Sequence, residues 1–229
     1  MDPGRGRGGP AVTDEPPDLY DTRFDAEDAA AKDRIWREIV WFLGRWIDPA
    51  APVLDIACDR GHFIRFATGS ELWAVDIRDV SASLPADVHF VQGSGLDIAT
   101  LVPKAHFGTV FMSNYLEHLP SATAVIDQLR IARELLRPGG RVIVLQPNIR
   151  LVGARYWDFI DHRVALTDSS LLEAADMAGL KTVDLIVRFL PYSTKGRLPT
   201  RPGLVRMYLK LKPAWWLLGK QTLYVGSPR

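Results

Sequence analysis

The tightest constraint on this chain is a series of short, nearly continuous apolar runs separated by helix-length segments. Residues 53–57 (VLDIA), 72–75 (LWAV), 88–91 (VHFV), 109–112 (TVFM), 141–145 (RVIVL) and 182–189 make up the series. A strand apolar at successive positions is buried on both faces, which is the habit of parallel sheets covered by helices. The segments between the runs carry helical periodicity. Ser121 is placed to cap a helix whose Val125, Leu129, Ala132 and Leu136 share a face, and Pro138-Gly139-Gly140 ends it. A helix is expected to open at Gly61, and Ser170 with Glu173 forms a candidate capping box for a helix that stops at Gly179. Residues 25–47 precede the first strand with Ile35, Ile39, Leu43 and Ile47 four apart. The pattern predicts an α/β fold with a doubly wound, mostly parallel sheet. A closing strand at 222–225 follows a long excursion without an obvious crossover helix, which suits an antiparallel pairing.

The chain of 229 residues is sized for one domain, expected over 20–229, with 20–48 as a helical cap and 191–220 as a basic, aromatic insertion. Residues 1–19, rich in Gly, Pro and charge and without an apolar core, read as a disordered tail. A net charge of +1 argues against nucleic acid as a partner, and a single cysteine, Cys58, excludes an internal disulfide and a cysteine-based zinc site. These features suit a cytoplasmic protein.

In such sheets a ligand sits beyond the carboxyl ends of the strands. The first of these ends, VLDIACDRGHF, carries one glycine, Gly61, with Ala57 and Asp59 where glycines are common. The second ends at Asp76, a carboxylate suited to ribose hydroxyls, and the third at Gly93-Ser94-Gly95-Leu96, a turn able to lie against a purine. A dinucleotide needs several glycines so that the backbone can approach its pyrophosphate. S-adenosylmethionine has no phosphate and needs one close backbone approach with partners for an ammonium and a carboxylate. A loop with one glycine and two acids suits the second cofactor better, and an Asp tolerates left-handed angles. The competing reading is an ordinary strand, tight turn and helix.

Four segments in order, VLDIACDRGHF, LWAVDI, FGTVFMSNYLEHL and LRPGGRVIVLQPN, resemble the class I S-adenosylmethionine-dependent methyltransferases. The third and fourth are the most specific. PNIR, YWDFIDH, LTDSSLLEA, RFLPYSTK and LLGKQ look further like a bacterial subgroup of small-molecule methyltransferases, a likeness that covers 20–226. The resemblance implies a Rossmann-like sheet of seven strands with the last antiparallel. It implies S-adenosylmethionine as cofactor, with Asp55, Ala57, Cys58, Asp59 and Gly61 around its methionine end and Asp76 on its ribose. Ile77, Ser94, Gly95 and Leu96 fall near its adenine, and Asn114 and Tyr115 lie under the methionine moiety. The sequence departs from the family at Ala57 and Asp59, and at Ser94, where an acid is common.

On the acceptor side, Glu117-His118 follows the fourth run. It serves either to fix its loop by hydrogen bonds or as a base, as part of a site like the metal site of ubiquinone-pathway O-methyltransferases. Asn114 stands where that site carries a further acid, so no metal is expected. His162 is the second candidate base, with Asp158 or Asp161 to orient it. Tyr156, Trp157, Asn148 and Arg23 are candidate substrate contacts. Residues 191–220 hold seven Lys or Arg and no acid. They are either a solvated basic face or a clamp for an anionic substrate or membrane surface. The expected activity is methyl transfer to a hydroxyl, less readily an amine, of a small molecule such as a sugar, glycolipid or secondary metabolite. A cofactor-binding partner or regulatory protein of weak catalytic power is the alternative.

Overall fold

The computed structural model describes residues 26–192 and 202–229. The proposed tail and Arg23 lie outside them. The elements in chain order are α1 (Ala26–Leu43), β1 (Val53–Ile56), β2 (Leu72–Asp76), β3 (Val88–Gln92), β4 (Phe107–Ser113), α2 (Ala122–Leu135), β5 (Leu136–Pro147), α3 (Ile149–Val152), α4 (Asp168–Met177), β6 (Leu180–Ile186), α5 (Pro202–Lys210), α6 (Lys212–Leu218) and β7 (Gln221–Pro228). The strands form one sheet in the order β3-β2-β1-β4-β5-β7-β6. β1 to β5 are parallel to one another, and β7 runs antiparallel between β5 and β6. This is the seven-stranded Rossmann-like sheet that the sequence predicts.

The continuous apolar strands are explained by two cores, one on each face. Leu54, Ile56, Val110, Met112, Val142 and Val144 point to a core closed by α2 and α4. Their neighbours Val53, Phe111, Ile143 and Leu145 point to the opposite core, which holds α1 with Phe189 and Trp215. Successive side chains of a strand alternate faces, so only a sheet covered twice needs apolar residues at every position. The N-terminal helix is therefore a layer of the fold, packed on the sheet face.

Three local expectations differ from the structure. No regular helix follows Gly61. Residues 61–66 are turns with two helix-like bonds, Arg65 N–H to Gly61 O (3.0 Å) and Ala67 N–H to Phe63 O (3.1 Å). Gly61 itself has φ +73°, outside the helical range, and the chain turns again by Gly69, which leaves room for a single turn. The capping box of α4 lies three residues upstream of the predicted one: Thr167 caps and Ser170 reciprocates. Ser170 is the side chain that bonds the cap backbone, so it sits at the third helical position rather than the cap. Pro138-Gly139-Gly140 does not simply end a helix. Those residues belong to β5, within an irregularity in its pairing with β4 between Leu136 and Arg141.

Candidate active site

The chain passes from β1 to β2 on one side and later to β4 on the other, so the order of connection reverses between the parallel neighbours β1 and β4. A crevice opens at the carboxyl ends of such neighbours. Four described non-glycine residues have left-handed backbones, and three of them stand at these ends: Ala57 (φ 58°), Asp59 (φ 48°) and Asn114 (φ 47°). An L-residue held there costs on the order of 1 kcal/mol or more, and such strain concentrates at functional sites. The loop thus keeps a glycine-type course without the glycines. Gly61 is the exception that keeps glycine at such an angle (φ +73°), and a Cβ there would also press on the Leu84 side chain.

Three acids meet in the crevice. Asp55 and Asp76 are buried, and Asp59 lies beside them. Burial is the main cause that pushes the Asp55 carboxyl well above the ordinary carboxylate range; the backbone N–H of Ile64 works against it, while Asp76 and Asp59 add to it. The Asp59 N–H donates to Asp76 Oδ2 at 2.9 Å. Arg78, which the sequence reading passed over, donates from its backbone N–H to Asp76 Oδ1 (3.0 Å) and from Nη2 to Asp59 Oδ1 (2.8 Å). Burial opposes the Arg78 charge, but the bonds to Asp59 and Asp76 outweigh it and hold its pKa above the usual value. An arginine two residues past a strand-ending acid is the signal that could have found it. Cys58 is buried, its thiol pKa pushed up chiefly by burial, and its Sγ–H donates to Asp59 O at 3.7 Å within this loop.

The next two strand ends close the crevice. Gly95 lies against Ile56 and Tyr115; an added Cβ would come within 2.5 Å of Tyr115 Oη and 2.8 Å of Gln128 Oε1. Tyr115 Oη donates to Gln128 Oε1 at 2.9 Å. Gln128 is a second residue that sequence reasoning missed, since within an amphipathic helix it reads as surface. Ser94 accepts the Leu96 N–H at 3.2 Å and shapes the turn, Ile77 is exposed at the rim, and Asn114 is exposed at the end of β4.

A second cluster lies beyond β4 and β5. Glu117, His118 and His162 each offer a ligand atom, all within 4.8 Å of one another. Glu117 is buried, and neither of its carboxylate oxygens has a hydrogen-bond partner among the described residues. Burial raises its pKa to about 7, with His118 pulling the other way. The Asp161 carboxylate lies 3.5 Å from His118 Nδ1, and Asp158 sits at the surface 3.9 Å from Arg155. Tyr156 is buried, donates to Val164 O at 2.6 Å and packs on the His162 ring. Tyr192, unassigned in sequence, meets Phe159 at 6.1 Å, and its hydroxyl has no partner among the described residues. Trp157 is half-exposed beside Tyr156.

Asn148 corrects an expectation. It is fully buried, donates to Asp168 (2.9 Å) and Thr222 (3.1 Å), and accepts the Arg150 N–H (3.1 Å). Its amide ties the end of β5 to α4 and β7, and so cannot meet a substrate.

The model of a family described as a methyltransferase domain matches residues 28–185. The chain belongs to that family. It is a class I S-adenosylmethionine-dependent methyltransferase. The methyltransferase bound to its Trm112 activator from Haloferax volcanii superposes with TM-score 0.63 at 17% identity, over 90% of this chain and 95% of that one. An S-adenosylmethionine-dependent methyltransferase from Archaeoglobus fulgidus gives 0.61 at 16% identity, over 91% and 97%. The CcbJ methyltransferase from Streptomyces caelestis gives 0.59 at 19% identity, over 86% and 96%. At such identities they share the fold. No curated protein matches this methyltransferase in sequence.

The crevice fits S-adenosylmethionine on its own evidence. Asp55, Asp59 and Asp76 cluster there, two of them held by Arg78, and they offer hydrogen-bond partners for an ammonium and for ribose hydroxyls, both of which this cofactor carries. The left-handed angles at Ala57, Asp59 and Asn114 give these strand ends the tight course that allows a close backbone approach to a ligand.

Proposed function

We propose that this methyltransferase acts on a hydroxyl of a small molecule, such as a sugar, glycolipid or secondary metabolite, and that His162 accepts the proton. The observation that carries the reading is the buried, partnerless carboxylate of Glu117 set against two imidazoles. A hydroxyl must lose its proton as its oxygen bonds to carbon, whereas an amine bound neutral needs no base. Leaving a buried carboxylate without partners costs several kcal/mol in order of magnitude. Loop fixing is already done by backbone bonds, for Glu117 O accepts both Arg163 N–H (2.8 Å) and Val164 N–H (3.0 Å). The side chain is left over for chemistry.

Asp55, Ala57, Cys58, Asp59 and Gly61 would hold the methionine end of the cofactor, Asp76 its ribose, and Ile77 with Ser94, Gly95 and Leu96 its adenine. Asn114 and Tyr115 would lie beneath the reacting end. Bound there, S-adenosylmethionine supplies a methyl group on a sulfonium, open to direct displacement. The chain's own work is to align the acceptor oxygen, with Tyr192 and Trp157 as flanking surfaces, and to take its proton at His162. Asp161 and His118 act beside it, and Glu117 balances the charge that arrives.

A divalent cation on Glu117, His118 and His162 is the second reading, favoured by their convergence within 4.8 Å. Zinc bonds near 2.1 Å place ligand atoms about 3.4 Å apart, so the side chains would have to close further. Methyl transfer to a panel of hydroxyl and amine acceptors separates the readings. His162→Ala is expected to lower turnover by roughly 10²–10⁴-fold while calorimetric S-adenosylmethionine affinity is unchanged. Full turnover would remove His162 as base, and loss of turnover on chelation, restored by metal, would favour the cation.

A further inference from the structure

α5 and α6 carry more apolar surface than packing on the protein requires. A helix at a protein surface normally has one apolar face, and α5 has two. Leu209 is buried and Tyr208 is half-buried, its hydroxyl bonded to Phe189 O at 2.6 Å, while Trp215 of α6 is buried and donates to Tyr208 O at 2.8 Å. On the outer side, Leu204, Met207 and Leu211 stand three and four residues apart and are 39%, 51% and 46% exposed. Trp216 and Leu217 at the tip of α6 are 73% and 71% exposed, and Leu218 is 38% exposed. Single exposed apolar residues are ordinary, but six within one helical pair form a patch.

Cations ring this patch. Arg206 and Lys210 lie over the half-exposed ring of Trp41 at 4.8 and 5.5 Å, which carries the apolar surface onto α1. On the other flank a groove of about 440 Å³ is lined by Arg45, Arg188, Lys212, Trp46 and Trp216, with Asp184 as its acid. Residues 191–220 contain no acid at all. Both helices lie beyond residues 28–185, the part that matches the family model.

We propose that α5 and α6 dock this methyltransferase on the surface of an anionic lipid bilayer. Trp216 and Leu217 enter the acyl boundary, Leu204, Met207 and Leu211 lie along it, and Lys210, Lys212 and Arg188 meet lipid phosphates. Aromatic and leucine side chains with interleaved lysines are the composition of interfacial helices, whereas lysine is depleted from protein–protein interfaces. Lysine stems bury along the apolar surface and extend their charge to the headgroups. The placement also serves the enzyme. β6 ends at Ile186, paired with Leu223, and β7 begins at Gln221, opposite Pro147 at the end of β5. The excursion between them therefore starts and finishes on the sheet edge that bears the crevice. A docked enzyme would have its acceptor side near the bilayer, within reach of an amphiphilic substrate.

The test is flotation of the full chain with phosphatidylcholine vesicles, with and without phosphatidylglycerol, which needs neither acceptor nor turnover. Its failure therefore leaves the proposed chemistry untouched. The wild type is expected to float with the anionic vesicles and to be released as salt rises. Trp216→Ser with Leu217→Ser should weaken partitioning by roughly tenfold or more. Lys210→Glu with Lys212→Glu should abolish the preference for anionic lipid. Unchanged S-adenosylmethionine affinity by calorimetry in each variant shows that it is folded. The proposal is overturned if the wild type stays with the buffer for both vesicle types, or if the Trp216 and Leu217 variant floats as well as the wild type. It is equally overturned if the patch instead mediates dimers that the same variant dissolves.

Discussion

Ala57 and Asp59 show how a loop can keep its shape after losing the residues that make the shape easy. Their left-handed angles are ones that glycine adopts without cost. Ala57→Gly is therefore expected to raise stability by about 0.5–1 kcal/mol in urea unfolding. Relief of about 1–2 kcal/mol of backbone strain exceeds the added entropy of an unfolded glycine. An ordinary alanine-to-glycine change has the opposite sign, so a loss of stability would show that the angle is not strained. Glu117 gives a prediction in pH. Its folded pKa, raised to about 7, lies above the value near 4.5 that it has when exposed. A carboxyl raised in this way contributes its full stability below the unfolded pKa, and the contribution is lost as pH rises through the folded pKa. Glu117→Gln should then remove a loss of about 3 kcal/mol between pH 4.5 and 7. Urea titrations at pH 5 and pH 8 check it: the variant should gain on the wild type at the higher pH. Equal pH dependence would mean that Glu117 ionises at its ordinary value.

Among the elements, the helices were legible where a cap and a period coincided and were misplaced where one was missing. Ser121 does cap α2, accepting the Ala124 N–H at 3.1 Å, and Val125, Leu129 and Ala132 line its buried face. For α4, Thr167 and Ser170 both have cap chemistry, and only the course of the chain out of the 149–166 loop selects the first. The contact between α1 and α5 was invisible in sequence. Glu38, 6% exposed, binds Arg206 at 2.5 and 3.2 Å across 168 residues of chain. Arg206→Ala should cost about 1–3 kcal/mol in thermal or urea unfolding. That range lies between the small worth of an exposed pair and the larger penalty for a buried carboxylate left alone. An unaffected stability would show that solvent replaces the guanidinium fully.

At the scale of the whole molecule, the sheet was readable because its cause is local. The inner strands had to be apolar on both faces, and that requirement is written at consecutive positions within β1, β4 and β5. Asp76 and Gly95 were readable for a similar reason, since a strand end or a tight turn is set by neighbours in the chain. The acceptor side was not. Glu117-His118 and His162 lie in separate loops, and their convergence depends on how the 149–166 segment folds back. Asn148, Arg78 and Gln128 have roles set by which partner lies opposite, information no single segment holds. The sequence by itself determined a doubly covered α/β sheet, a crevice at its carboxyl edge and the family of chemistry. The tertiary structure alone decided which acid is left without a partner, which asparagine is consumed in holding strands together and which face of α5 stays exposed. Periodicity and turn chemistry act over a few residues, whereas burial and pairing are set by residues a hundred or more positions away.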